Sequence, residues 1–194
     1  NNLDYQAMQP RRDRWTDCSV CKQGYHGVVR CALGWACWKT FVGRPEMDPT
    51  RQLAMSLLGR GLHDAQHYED ALSVQEAEIS LCRRINPSEN TGYMLAVEAN
   101  LANTYSALER NEEALSLRQE VYSRHLKLNG REHDGTLLAA SNYASSLIEL
   151  KRFQQAKSLL RKSIPAARRV LGESNEITLH LRWNYAQSLG CDAA

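Results

Sequence analysis

The sequence predicts an all-α fold, a solenoid of stacked helical hairpins preceded by a cysteine-bearing segment. Two observations predict it. Asn100-Leu-Ala, Asn142-Tyr-Ala and Asn184-Tyr-Ala recur at one interval, since 142 − 100 and 184 − 142 both give 42. Ala114 and Ala156, Gly130 and Gly172, and Thr136 and Thr178 keep the same spacing. A period of this size marks one supersecondary unit copied and stacked on itself. The second observation is that apolar residues fall at helical spacing and no strand is evident. Stacked repeats build extended surfaces, so a binding protein is expected before a catalyst.

Residues 1–17 are polar and irregular, with Pro10 and mixed charges. Residues 18–27 form a turn-rich loop bearing Cys18 and Cys21. Val28, Cys31, Trp35, Trp38 and Val42 are spaced as one helical face. Gly43, Arg44 and Pro45 end that helix. Asp48 before Pro49 reads as an N-cap followed by a first-turn proline. From there the chain reads as helix pairs. First helices are predicted at 49–65, 92–108, 135–150 and 177–189, and second helices at 69–85, 111–128 and 153–171. The resulting division is an irregular segment over 1–27, a linker helix over 28–45 and an array over 46–191. The array holds about 3.5 repeats of about 42 residues, enough for a stable stack.

Links inside a pair are short, at Gln66-His67, Glu109-Arg110 and Lys151-Arg152. Links between pairs are polar: Asn86 to Asn90, Gly130 to His133, and Gly172 to Asn175. Gly130 and Gly172 suit a left-handed helix-closing position, where a Cβ is unfavourable. Pro165 falls inside a predicted helix and should bend it. Small residues recur where helices must approach: Gly59, Ala102, Ala144 and Ala186 on first helices, and Ala71, Ala114 and Ala156 on second helices. Leu58, Leu101, Leu117, Leu159 and Val170 are expected to fill the layer between pairs. A final lone helix would cap the last face.

The chain has 194 residues, 43% hydrophobic and 24% charged, which is a globular and not a disordered profile. A net charge of +2 gives no whole-chain case for nucleic acid or a membrane as partner. The cluster Arg11, Arg12 and Arg14 reads as solvated loop surface. Six cysteines, with no signal peptide or long apolar run, fit a reducing cytoplasmic setting. The first residue is Asn, not Met, so a longer protein is expected, with sequence upstream.

The segment from Glu98 through Asn100-Leu-Ala-Asn-Thr-Tyr105 to Glu112-Glu-Ala114-Leu resembles a tetratricopeptide repeat. The longer period, with Leu128-Asn-Gly130-Arg-Glu-His133 and Leu171-Gly-Glu173, is similar to the kinesin light chain type. The sequence departs from the family pattern at Glu109 and Lys151, where Gly is usual, and at Asp134-Gly135. The resemblance covers about 49–190. It implies a right-handed superhelix whose first helices line a concave groove for a protein or peptide. The groove positions carried over are Leu53, Ser56, Arg60, His63 and Asp64, then Ala96, Ala99, Asn103, Ser106 and Ala107. The third unit gives Leu138, Ser141, Ser145, Ile148 and Glu149, and the last helix His180, Trp183 and Gln187. Steps of three and four place Ala96, Ala99, Asn103 and Ser106 on one stripe, and Leu138, Ser141, Ser145 and Ile148 on another. These stripes are small and neutral, with room for a peptide backbone that Asn103 can both donate to and accept from. Solvated helix surface is the competing reading. Asn100 and Asn142 are expected to be structural.

The cysteines leave three readings open. Cys18-x-x-Cys21 resembles the last pair of a RING finger, which would make the chain part of a ubiquitin ligase using the array to recruit substrate. Cys18, Cys21, His26 and Cys31 also match the spacing of a zinc knuckle, a module that binds single-stranded nucleic acid. Either would bring zinc, which takes four ligands in structural sites. The third reading is free thiols. Cys31 and Cys37 also fit as core residues of their helix, and Cys82 as packing. No phosphate loop or catalytic constellation is evident, because His63, His67, His125, His133 and His180 each stand alone in sequence. No enzyme is expected.

Overall fold

Each stretch with helical apolar spacing becomes a helix in a computed structural model, which describes residues 13–85 and 92–190. The Asn86–Asn90 connector, Arg11, Arg12 and Cys191 lie outside the described residues. Eight helices span the described residues from Gly27 onward, and the β-type feature among those residues is an isolated antiparallel bridge between Asp17 and Gly24. The chain divides into two units, 1–89 and 90–194.

In the first unit, α1 spans Gly27–Phe41, α2 spans Pro49–Asp64 and α3 spans Tyr68–Ile85. Asp48 caps α2 as expected, accepting the Thr50 N–H at 2.8 Å and the Thr50 hydroxyl at 2.5 Å. The hydroxyl bond is the main reason its carboxyl titrates at about 2. The buried face of α1 differs from the one its spacing suggested. Gly34 and Cys37 are buried, Cys31, Trp38 and Phe41 are half-buried, and Val28, Trp35 and Val42 are exposed. Two glycines set that face. A Cβ on Gly61 would lie 2.8 Å from the Arg30 carbonyl oxygen, and one on Gly34 would lie 2.9 Å from the Leu57 carbonyl oxygen. The α1 and α2 backbones therefore touch directly, with Arg30 and Asp64 paired at 2.6 Å beside the crossing.

In the second unit, α4 spans Gly92–Ala107, α5 Asn111–Asn129, α6 Asp134–Glu149, α7 Phe153–Leu171 and α8 Glu176–Gly190. Successive helices pack on each other, and α6 also packs on α8. Ala102, Ala114, Ala144 and Ala156 are fully buried, as their spacing predicts, and Ala71 is too in the first unit. Leu137, Leu147, Leu160 and Leu181 join Ala144 and Ala156 in a core shared by α6, α7 and α8, with Leu115 of α5 at its side. Two positions break the pattern. Ala186 is exposed, because the face that meets a following helix in earlier repeats has none after α8 among the described residues. Val170 is exposed at 46%, as is Leu128 one period earlier at 48%, so this position near the end of a second helix faces outward in both repeats. Helix α7 continues through Pro165.

The short links share one geometry. Arg110 N–H reaches the Tyr105 carbonyl at 2.9 Å while Glu109 N–H reaches Ser106 at 3.0 Å. Arg152 repeats this on Leu147 at 2.7 Å with Lys151 on Ile148, and His67 does so on Leu62 with Gln66 on His63. This paired return is the Schellman motif. It requires positive φ, here 65° at Gln66, 60° at Glu109 and 58° at Lys151. These include the two places where the repeat pattern has Gly. Gly130 and Gly172 have positive φ, but with ψ of 177° and 166° they are extended and not left-handed helical. That region is open essentially to glycine alone.

Candidate peptide-binding site

Two seams between first helices can be compared inside the second unit. The α6/α8 seam is closed. Asn184 on α8 donates to the Ser141 carbonyl and to the Ser145 hydroxyl, each at 3.1 Å, and is itself buried. The equivalent residue one repeat earlier is Asn142, which lines an opening instead of bridging one. Here α4 and α6 border a cavity of about 230 Å3. Gly92, Leu95, Ala96 and Ala99 form the α4 wall, Gly135, Leu138, Ala139 and Asn142 the α6 wall, and Arg118, Val121 and His125 of α5 the floor.

Arg118 is the residue that the stripe analysis missed. Its Nη1 donates to the Ser146 hydroxyl at 2.5 Å and its Nη2 to the Asn103 side-chain oxygen at 3.0 Å. Glu149 stands 3.9 Å away, and among the described residues the buried Nε has no partner. Burial lowers the Arg118 pKa, with Glu149 opposing the shift. A signal existed in the sequence: 42 residues later, the equivalent position is Leu160, which is fully buried. A cation at a position that holds core leucine in the next repeat marks a specialised unit. The second ionisable lining group, His125, is held toward its neutral form by burial first and then by His133 and Arg124. Among the described residues, none that lines the cavity is acidic.

The sequence-predicted positions separate accordingly. Ala99 lines the cavity, Asn103 steadies Arg118, and Glu149 stands near the same guanidinium. The Ser106 hydroxyl is buried without a partner among the described residues. The Ser141 carbonyl and the Ser145 hydroxyl are taken by Asn184. Trp183 and Gln187 are exposed on α8, with Trp183 at 64%. Arg60 and His63 belong to the first unit. His63 packs on Tyr68 with ring centroids 5.3 Å apart, and burial lowers its pKa.

The four proposed knuckle ligands do not converge. Among the described residues, no three His, Cys, Asp or Glu side chains come together as a metal site. His26 is exposed at the N-terminus of α1. Cys31 packs against the cluster of Leu58, Leu62 and Ala71, and burial raises its thiol pKa. One turn of helix separates it from the Cys18–Cys21 hairpin and turns it toward the core. Two sulfurs alone do not fit the four-coordinate zinc of a structural site.

The geometry of paired helices, a period of 42 and an open seam now meets an independent comparison: residues 93–169 match the tetratricopeptide repeat family. Residues 93–169 are tetratricopeptide repeats. Solved structures extend the likeness in fold. The TPR-like repeats of a Podosopora anserina protein named as a putative kinesin light chain align at 19% identity and a TM-score of 0.67, over 85% of this chain and 76% of that one. A point-substituted form of the same protein gives 0.68 at the same identity and coverage. BtubC (BKLC) from P. vanneervenii aligns at 14% identity and a TM-score of 0.68, covering 84% of this chain and 65% of that one. At these identities the likeness establishes the fold. No curated protein sequence matches the chain. Tetratricopeptide repeats of this type support a protein-interaction scaffold, and among the described residues no helix is long and apolar enough to cross a membrane.

Proposed function

We propose that this tetratricopeptide protein binds an extended peptide in the α4/α6 seam, with one bulky apolar side chain entering the cavity. The observation that carries the proposal is the opening of this seam where the next one is sealed by Asn184. A cavity of about 230 Å3 exceeds the roughly 150 Å3 void that accepts benzene, so an aromatic or leucine side chain fits. Its walls are small and apolar, while Arg118 and His125 supply the lining's ionisable groups. That balance favours neutral or acidic residues beside the anchor and disfavours basic ones. Asn103, whose oxygen is held by Arg118, keeps its amide hydrogens for a peptide carbonyl. The function is recognition, with affinity concentrated in the anchor.

The test is selection of peptides from a random displayed library on the whole chain, followed by calorimetry. Selected peptides should share an aromatic or aliphatic anchor and lose at least about tenfold in affinity against Ala99→Trp, which fills the cavity. Asn103→Ala should weaken the same peptides while leaving helicity unchanged. Peptides that bind wild type and Ala99→Trp equally would move the site off this seam.

A further inference from the structure

A second site lies in the first unit, in the hairpin that precedes α1. The hairpin is closed by backbone bonds: Cys18 N–H to the Gln23 carbonyl at 2.8 Å, Lys22 N–H to the Cys18 carbonyl at 2.9 Å, and Tyr25 N–H to the Thr16 carbonyl at 2.8 Å. Lys22 takes a φ of 59° to make the turn. This fold collects donors on one sulfur. Cys18 Sγ accepts the backbone N–H groups of Cys21 and Val20, the Cys21 thiol and the Tyr25 hydroxyl. Donors around a sulfur lower its thiol pKa and raise its share of thiolate, the form that attacks disulfides. Cys21, whose thiol reaches Cys18, is exposed, and Cys18 is partly exposed. The contrast with the other cysteines of this unit is chemical. Cys37 sits in the core and Cys31 is half-buried against it, where burial raises both thiols, Cys37 to about 11, and Cys82 is partly buried on α3. Beside Cys18 opens a cleft of about 420 Å3, lined also by Asp13, Arg14, Asp17, Ser19 and Lys22. Its cations suit carboxylates and its acids an ammonium group, the charges of a small zwitterionic peptide.

We propose that Cys18 and Cys21 are a dithiol pair that exchanges with a small zwitterionic peptide disulfide, Cys18 attacking and Cys21 resolving. Cys18 thiolate attacks one sulfur of the peptide disulfide, whose S–S bond breaks and releases one peptide thiolate, which takes a proton from water. Cys21 then loses its proton and attacks Cys18 Sγ, expelling the second peptide thiolate. The protein gains one intramolecular disulfide, two thiols are oxidised, and the peptide disulfide is reduced to two thiols. Tyr25 and the two N–H groups position and stabilise the Cys18 sulfur.

The experiment uses the whole reduced chain, with glutathione disulfide as probe and intact mass plus peptide mapping as readout. Wild type should lose two free thiols per chain and keep no adduct, with the new bond mapped to Cys18–Cys21. Cys21→Ser should trap one glutathione on Cys18. Cys18→Ser should react at Cys21 at least about tenfold more slowly than wild type does at Cys18. Far-ultraviolet circular dichroism checks that both variants remain folded, and neither side chain belongs to the core. Equal reactivity of Cys18 and Cys21, an adduct that stays on wild type, or zinc retained on purification that shields both thiols would each overturn the proposal.

Discussion

The α4/α6 and α6/α8 seams are built from the same repeat, 42 residues apart, yet one is a cavity and the other a sealed joint. At the sealed joint a buried Asn184 reaches across to α6, and Leu137, Leu147, Leu160 and Leu181 form a continuous core around it. At the open seam the same register holds Asn142, which lines the void, and Arg118, which stands where Leu160 stands one repeat on. Buried leucine lets neighbouring helices close. A guanidinium needs partners, and here Asn103 and Ser146 supply them from α4 and α6. One polar replacement on a second helix thus accompanies the change from a joint to a pocket. Repeat symmetry fixes the scaffold, and a departure from it marks the seam proposed to bind a peptide.

Paired substitutions test this contrast. The largest effect is expected in the sealed region: Leu181→Ala should destabilise by about 2–5 kcal/mol, because the site is fully enclosed and cannot collapse. Leu138→Ala on the open seam, where the side chain is 47% exposed, should stay within about 0.5 kcal/mol. Chemical denaturation of both variants measures the difference, and equal losses would contradict two unlike seams. Next, Asn184→Ala should cost about 1–3 kcal/mol by removing two hydrogen bonds from a buried joint, while Asn142→Ala should be close to neutral. Thermal unfolding of the two proteins side by side checks the pair.

A smaller, stabilising effect is expected at the short turns inside the helix pairs. Lys151→Gly should raise stability by about 0.5–1 kcal/mol, since the left-handed conformation at φ 58° is strained for lysine and free for glycine. A lower melting temperature would mean that the Schellman turn is not strained. The smallest effect concerns pH. His125 has a depressed folded pKa, so between that value and the ordinary histidine value of about 6.5 the unfolded chain binds more protons. Stability is therefore complete above about pH 6.5 and declines as pH falls below it. His125→Gln should flatten the decline measured by melting temperature between about pH 7.5 and 5.5.

Much of the scaffold was legible because a repeat states its own register. The 42-residue spacing placed Ala102, Ala144, Ala114 and Ala156 in the interior, and helix boundaries followed from the glycine and short-link positions. What the spacing could not convey was contact made by backbone. The α1/α2 crossing depends on Gly34 and Gly61, whose effect lies in the side chain they lack. Ala186 was misplaced because a repeat pattern assumes a next neighbour, and Val170 because an apolar residue near a helix end need not face inward. The knuckle spacing of Cys18, Cys21, His26 and Cys31 failed for a geometric reason: Cys31 lies in the first turns of a helix whose face turns it into the core. Of the groove stripe, Ala96, Ala99 and Leu138 line the cavity and Asn103 bonds Arg118, a residue the stripe left out because it considered first helices alone.

The central claim is that the open seam is where a peptide docks. Hydrogen exchange followed by mass spectrometry, on the whole chain with and without the tightest selected peptide, tests it most directly. Protection should rise over 92–99 in α4 and 135–142 in α6 and remain unchanged over 179–187 in α8. Protection confined to α8, around Trp183, would contradict the account.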